Sequence, residues 1–134
     1  MKAFFPYDAT TLGVTVRVSP RYLPEQSDPA TGHHVWSYHV RIENASDAVV
    51  QLVARHWIIT DADGHVEEVE GDGVVGEQPV LKPGGSFDYV SGCVLATSHG
   101  TMHGSYMMQA DGEIFAADIP RFALASPRVP RTLH

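Results

Sequence analysis

Three glycines at positions 71, 73 and 76 spell G-x-G-x-x-G within the stretch GDGVVGEQP. This spacing is typical of a turn that binds the pyrophosphate of a dinucleotide, because the glycines let the backbone approach the phosphates and a helix begins directly after them. Pro79 and Pro83 follow here, and proline removes a backbone donor and clashes with the preceding helical turn. The sequence therefore excludes a dinucleotide-binding helix at this loop.

Two weaker interpretations of the glycines stay open. The backbone amides of Gly71, Gly73 and Gly76 could form a nest for an anion, which would make the chain a binder of pyrophosphate or a nucleotide. The neighbouring carboxylates of Asp72 and Glu77 would repel a bare phosphate but tolerate one that carries Mg²⁺. Alternatively, the glycines only let the chain cross between two strands, and the missing α/β context favours this second interpretation.

The acidic residues before this loop offer oxygen ligands at close spacing, as Mg²⁺ and Ca²⁺ require. The stretch Asp61-Ala62-Asp63-Gly64 is also a typical hairpin turn, and Glu67, Glu68 and Glu70 cannot all share one face of a strand. The EF-hand pattern is absent, so the sequence favours a solvated hairpin.

Eight histidines are spread along the chain without the spacing of a known metal motif. His99 and His103 flank one predicted turn and could meet across a hairpin, and His33 and His34 form a second pair. Two imidazoles provide half of a transition-metal site at best, since such a site needs three or four converging ligands. We therefore predict no bound metal and no cofactor.

Nucleophilic catalysis finds no matching constellation in this sequence. Ser91 lacks the G-x-S-x-G pattern of a nucleophile elbow, and Cys93 lies in an apolar strand. A cysteine in such a setting is expected to be a buried thiol that packs like a small apolar side chain. No pair of acid and base residues is recognisable either, and we predict that the protein is not an enzyme.

The composition limits the remaining functions. The chain has 134 residues, of which 43% are hydrophobic, and a formal net charge of −7, which indicates one globular domain. It has no cluster of Lys and Arg for nucleic acid and no apolar stretch of the ~20 residues that a membrane span needs. The single cysteine and the absence of a signal-peptide pattern predict a soluble protein in the reducing cytoplasm.

Strands are the elements that would position these residues, because hydrophobic residues alternate with polar ones and helical periodicity is nearly absent. Val14, Val16 and Val18 are one example. Short strands separated by turns at regular intervals predict an all-β fold, an immunoglobulin-like or fibronectin type III-like β-sandwich of antiparallel strands, with a small closed barrel as the alternative. The predicted strands span residues 12–22, 35–43, 48–60, 86–95, 102–109 and 113–119.

We expect a single domain over residues 1–134, with its core at about 12–127. The polar stretch Pro24–His33 is rich in Pro, Asp and Gly, which predicts a mobile loop. The N-terminus before the core and the C-terminal tail are both expected to be flexible.

The predicted strand 48–60 carries large apolar residues on both faces, unlike a strand that has one face in water. Either a bulge switches its faces, or Val53, Trp57 and Ile59 are covered by another segment of the chain or by a second subunit. The last case predicts a homodimer through residues 49–59.

The same strand also contains a candidate interaction surface. Arginine and tryptophan are favoured anchors of protein interfaces. Arg55 and Trp57, together with the loop 71–79 and its Gln78, are therefore predicted to contact a protein partner. This surface exists only if the two side chains are not both buried in the core.

Beyond these patterns, the chain resembles a known family. The run VQLVARHWIITDADGHVEEVEGDGVVGEQPVLKPGGSFDYVSG, followed by GTMHGSYMM and IPRFALASP, resembles the ApaG family (the DUF525 domain) over residues 12–127. No departure occurs at the positions that carry the resemblance. These are Arg55, Trp57, Gly73-Val74-Val75-Gly76, Gln78-Pro79, Pro83-Gly84, Tyr89, Ser91-Gly92, Gly100-Thr101-Met102 and Gly104.

The resemblance implies a fibronectin type III-like β-sandwich and little chemistry. Bacterial members of the family are linked to cobalt resistance and magnesium efflux, and the domain also occurs in eukaryotic F-box and DNA-polymerase-interacting proteins. It therefore implies a non-enzymatic module that binds a protein partner. The alternative is a binder of pyrophosphate or nucleotide, with Mg²⁺, at Gly71, Gly73 and Gly76.

Overall fold

The computed structural model describes residues 4–127 of the chain. Within them, nine antiparallel strands account for almost all regular structure, and only two single 3₁₀ turns, Pro24–Gln26 and Pro29–Thr31, interrupt the β pattern. None of the described residues forms a helix of the length and apolarity that a membrane crossing requires. The strands are β1 (Tyr7–Thr11), β2 (Val14–Tyr22), β3 (His34–Asn44), β4 (Val50–Asp61), β5 (Val66–Asp72), β6 (Val80–Leu81), β7 (Ser86–Leu95), β8 (His99–Ala110) and β9 (Glu113–Ala125).

The strands form two sheets that pack face to face. The first sheet has the order β1-β2-β3-β7, and the second has the order β5-β4-β8-β9, with β6 pairing to the first residues of β4. Because the two sheets are separate, the fold is the predicted antiparallel β-sandwich, and the alternative of a closed barrel is wrong.

Because hydrophobic and polar residues alternate along the strands, one face of each sheet is buried in the common core. Val14, Val16, Val18, Val40 and Ile42 project from β2 and β3 and are fully buried, as a period of two residues requires. The centre of the core is aromatic. Ring pairs there meet edge to face, for example Tyr38 with Trp57 at 5.3 Å and Trp57 with Phe122 at 6.0 Å, an arrangement that aromatic quadrupoles favour.

A β-bulge explains the apolar residues on both faces of β4. The register with β8 shifts between Leu52 and Ala54, so Val53 is the extra residue. Val50 and Leu52 are buried before the bulge, and Trp57 is buried after it on the opposite parity. Both sets therefore face the same core, and the apolar pattern that suggested a homodimer through residues 49–59 is explained within one chain.

Two segments that the sequence predicts to be flexible form backbone hydrogen bonds in the structure. Residues 7–11 form β1, paired to β2, where a flexible N-terminus was expected. The predicted mobile loop Pro24–His33 is held by its own bonds: Ser27 Oγ donates to Leu23 O at 2.8 Å, and the amide of Asp28 donates to His33 O at 2.6 Å. The expectation for the C-terminal tail concerns residues 128–134, which lie outside the described residues.

The two lateral sides of the sandwich are unlike. On one side, β1 and β9 close the space between the sheets, since the amide of Asp118 donates to Thr11 Oγ1 at 3.1 Å and the ring of Tyr7 packs on Phe122. On the other side, β5 and β7 are the outermost strands, and the space between them stays open.

Candidate functional site

A groove of about 510 Å³ lies on this open side of the sandwich. We call it the edge groove. Its floor is formed by the inward side chains of β4 and β5, its wall by residues 89–94 of β7, and its rim by the exposed side chains of Val75 and Val94. Concave, partly apolar sites with a few polar groups are where proteins most often bind ligands.

The floor of the edge groove consists of three cross-strand pairs. Arg55 pairs with Gly71, Trp57 with Val69, and Ile59 with Glu67 in the register of β4 and β5. The floor is therefore cationic at one end, apolar in the middle and anionic at the other end. These three cross-strand pairs, the floor rows, face the groove because of the bulge at Val53. Without the bulge, Arg55 and Trp57 would face away from the core.

Arg55 is the cation of this floor and is held from one side only. Its Nη1 donates to Asp72 O at 2.9 Å and to Gly73 O at 3.0 Å. Gly71 makes room for it, because a β-carbon at residue 71 would lie 2.8 Å from Nη2. The ion pairs of the described arginines belong to Arg17 and Arg41, so Arg55 forms none within residues 4–127. A groove that contains such a cation suits an anionic group.

The predicted phosphate residues Gly71, Gly73 and Gly76 belong to a tight hairpin, residues 71–79, which we call the glycine hairpin. The amides of Gly73, Val74 and Glu77 donate to Val53 O, Glu77 O and Val74 O at 2.8–2.9 Å. Successive free amides are what an anion nest needs. The glycines therefore shape a turn, and these three loop amides are already bonded to backbone carbonyls.

Val75 and Gly76 form the tip of the glycine hairpin, and both have a positive φ, +44° and +81°, as in a type I′ turn. Gly76 adopts this conformation freely. Val75 does not, because a β-branched residue is strained there. Its side chain is nevertheless 54% exposed at the rim of the edge groove.

The predicted interaction residues have different positions in the structure. Gln78 Nε2 donates to Val53 O at 2.9 Å, so its side chain fastens the glycine hairpin to the bulge of β4. Trp57 is only 3% exposed and packs between the sheets, so it is not an exposed anchor for a partner. Arg55 is half-buried and lines the edge groove. Of the three, Arg55 is the side chain that a ligand in the groove would meet.

Three tyrosines and one cysteine lie beside the floor of the groove. The hydroxyls of Tyr89 and Tyr106 are hydrogen-bonded to each other. Burial raises the pKa of both phenols, and also that of Tyr38. Burial, with a smaller contribution from the charge of Glu67, raises the pKa of the Cys93 thiol to about 11. These groups are therefore neutral at pH 7, and a neutral thiol is a poor nucleophile.

Two groups of potential metal ligands among residues 4–127 lie outside the groove. His56 Nε2 is 3.0 Å from Glu68 and 3.8 Å from Glu70 on the outer face of the second sheet, a grouping that the sequence analysis missed because it depends on strand register. Asp61 caps the hairpin turn before β5, where its Oδ1 accepts the amides of Asp63 and His65. The predicted solvated hairpin is thus the observed one.

The paired histidines of the sequence analysis do not form a site. His99 and His103 lie on the same strand, β8, four residues and about 13 Å apart, rather than opposite each other in a hairpin. His34 is buried at the start of β3, where its Nδ1 is 3.1 Å from the hydroxyl of Tyr22.

Comparison with known proteins gives one consistent result. The family model described as "ApaG domain" (DUF525) matches residues 24–110. A protein named "Protein ApaG" from Parvibaculum lavamentivorans is 52% identical over 129 residues, which cover 96% of this chain and 99% of the relative. A relative of the same name from Brucella suis biovar 1 is 54% identical over the same length.

A solved structure agrees with these sequence matches. The crystal structure described as that of an ApaA protein from Bordetella pertussis superposes with a TM-score of 0.84 at 50% identity and covers 87% of this chain and 95% of that chain. This likeness shows that the two chains share the same β-sandwich fold.

Proposed function

The chain belongs to the ApaG domain family, and from that premise we propose that it is a non-enzymatic module that binds a protein partner in the edge groove. The observation that carries this proposal is the groove itself, an opening between the sheets whose floor holds an arginine without an ion pair among the described residues. Such a cation in a half-buried site is stabilised when a partner supplies an anion.

The rim supports a protein partner in preference to a small metabolite. Val75 and Val94 are more than half exposed, and both line the opening. Apolar side chains around a groove are typical of an interface, since burying them against a partner removes apolar surface from water. Val75 is strained at the hairpin tip, where Asn or Gly would be more stable. The chain thus has an apolar side chain at the rim at a cost in stability.

The chemistry of the groove supports binding rather than catalysis. Its possible nucleophiles are Ser91 and Cys93, and the residues that line it include no histidine to activate them. The raised pKa of Cys93 keeps its thiol protonated at pH 7. Glu67 and Arg55 lie at opposite ends of the floor, too far apart to act on one bond.

A binding module of this kind would act in the cell through the protein that it binds. A role in cobalt resistance or magnesium efflux would be regulatory and would act through the bound protein. We place this role in the cytoplasm, where a single buried thiol is compatible with reducing conditions. Binding of pyrophosphate or nucleotide by the glycine hairpin has less support, because the amides of Gly73, Val74 and Glu77 already have backbone partners.

A differential capture experiment tests the proposal. The wild-type chain, a groove variant Val94→Arg and a surface control Ile114→Arg would be used to capture proteins from the native cell extract. Val94 and Ile114 are similarly exposed, 55% and 63%, but Ile114 is the second residue of β9, at the far side of the sandwich. We expect a partner that is retained by the control and lost from the groove variant. A partner retained equally by all three chains would contradict the proposal.

A further inference from the structure

The outer edge of β7 has no partner strand within residues 4–127. β7 pairs with β3 on one side only. Natural proteins usually protect such an edge with charges, proline or a bulge. Residues 89–95, YVSGCVL, contain neither a charge nor a proline, and Val90 and Val94 are exposed on them. An unprotected edge of this kind is a template for an added strand.

On the closed side of the sandwich, β1 and β2 both pack on β9, so on the open side β5 extends past β7. β5 continues the second sheet past β4, but it packs mainly on β4, and its inward residue Glu67 is exposed. Neighbouring strands lie about 4.8 Å apart. A strand added to the free edge of β7 would therefore lie over β5, and its inward side chains would fill the edge groove.

We propose that the partner binds as an extended segment that pairs antiparallel with the free edge of β7 and covers the floor of the edge groove. This inference rests on the proposed function and adds the chemistry of the bound segment. A strand presents every second side chain to one face. Three consecutive inward positions would lie over the three floor rows: Ile59 with Glu67, Trp57 with Val69, and Arg55 with Gly71.

Charge complementarity then specifies the segment. Opposite Glu67 it needs a basic residue, opposite Val69 an apolar one and opposite Arg55 an acidic one. The direction follows from β7, because its last residue, Leu95, lines a small cavity together with Glu67, so Tyr89 lies nearer the arginine end of the floor. β7 thus runs from the arginine end to the glutamate end. An antiparallel segment carries, from its N-terminus, basic, apolar and acidic residues at alternate positions.

A set of synthetic peptides tests the strand pairing. The reference is Thr-Lys-Thr-Val-Thr-Glu-Thr with blocked ends, titrated into the full chain while amide chemical shifts are recorded. We expect shifts in residues 66–72 and 89–95. Two further peptides carry N-methyl groups on alternate residues, one on the odd set and one on the even set. Only one set of amides faces β7 in a strand, so one peptide should bind about tenfold or more weakly and the other nearly unchanged.

A charge exchange tests the register. The variant Glu67→Lys should lose affinity for the reference peptide and gain affinity for a peptide with Glu in place of Lys. Glu68→Lys is the matched control, because Glu68 is the next residue of β5 and faces outward beside His56. The control should keep the preference of the wild type. Equal behaviour of the two variants would overturn the proposed register.

The remaining outcomes separate the two proposals. If both N-methyl peptides bind alike while shifts still map to the groove, the strand pairing is wrong and the proposed function stands. If no peptide shifts residues 89–95 at millimolar concentration while Val94→Arg still loses its partner, the proposed segment is wrong. If light scattering shows a dimer of the 14.6 kDa chain that the reference peptide dissociates, the occupant of β7 is a second copy, and the inference is overturned.

Discussion

The Nη1 atom of Arg55 donates to the carbonyl oxygen of Gly73 at 3.0 Å and thereby ties the glycine hairpin to the floor of the edge groove. The same nitrogen also donates to Asp72 O at 2.9 Å. Hydrogen bonds from a charged donor are stronger than neutral ones. The position of the groove rim thus depends on the one side chain that also provides the positive charge of the groove.

Replacing this arginine should loosen the hairpin. Arg55→Met keeps an apolar stem but removes both carbonyl bonds, and we expect a loss of about 1–2 kcal/mol in the free energy of unfolding. Urea denaturation monitored by tryptophan fluorescence measures it. Arg21→Met is the control, because Arg21 is exposed and makes no ion pair among the described residues. Equal effects of the two substitutions would contradict the role of Arg55.

The glycines of the hairpin should differ in their tolerance of alanine. At Gly73, with φ +61°, a β-carbon would overlap the carbonyl oxygen of Glu77, whereas at Gly76, with φ +81°, it would meet no atom within 4 Å. Gly73→Ala should therefore cost more than about 2 kcal/mol, and Gly76→Ala about 1 kcal/mol from backbone strain alone. Thermal unfolding of both variants checks the order. The reverse order would show that the hairpin does not have this shape.

Val75 is predicted to lower the stability of the hairpin while it strengthens binding of the partner. Val75→Asn places a residue that tolerates positive φ at the first central position of the turn, so we expect a gain of about 0.5–1 kcal/mol. The same change removes an apolar side chain from the rim and should weaken partner capture. Val80→Asn is the matched control, since Val80 is 57% exposed on a strand without positive φ. A destabilised Val75→Asn would refute the strain argument.

The hydroxyl pair of Tyr89 and Tyr106 should behave as a unit. Tyr89→Phe leaves the fully buried hydroxyl of Tyr106 without this partner, which should cost about 1–3 kcal/mol. The double change to Phe removes both hydroxyls and should cost less than the sum of the single changes. A double-mutant cycle from urea denaturation measures the coupling. Additive costs would mean that the two hydroxyls do not stabilise each other.

Cys93 should be unreactive and should make stability fall at alkaline pH. Its pKa is raised from 9.0 in the unfolded chain to about 11, so its contribution is complete below pH 9 and declines as the pH rises towards 11. At pH 8 the folded thiol should react with a disulfide reagent about a hundredfold more slowly than the urea-unfolded chain.

A matched variant isolates the thiol from the tyrosines, whose ordinary pKa lies near 10. Cys93→Ala should make the fall of the free energy of unfolding between pH 9 and 10 less steep, and the slope that stays comes from the buried tyrosines, whose pKa values are also raised. A fast reaction of the folded thiol at pH 8, or an unchanged alkaline slope in the variant, would show that Cys93 is not shielded.

Much of the fold is readable in the sequence because burial imposes a period of two residues. Val14, Val16 and Val18 point to the core, and their alternation predicts β2 directly. The same reasoning does not predict β5, because this outermost strand contains Glu67, Glu68 and Glu70 and few apolar residues. β1 is not predicted either, because its residues are half-buried or exposed.

The candidate site is less readable because it depends on pairing register. Arg55 and Gly71 are sixteen positions apart, and only the register of β4 and β5 shows that one packs on the other. The bulge at Val53 then decides that Arg55 and Trp57 share a face with the core, which makes Trp57 a core residue rather than an interface anchor. The one available signal was the excess of apolar residues in β4, which permitted a bulge without requiring it.

In-cell photo-cross-linking tests the central claim, that a protein partner occupies the edge groove, most directly. A benzophenone amino acid would replace Val94 at the groove rim or Ile114 at the far side of the sandwich, two positions of similar exposure. After irradiation, the account predicts a discrete cross-linked protein from position 94 that is absent from position 114 and disappears in the Glu67→Lys background. The same cross-linked species from both positions, or none from position 94, would contradict it.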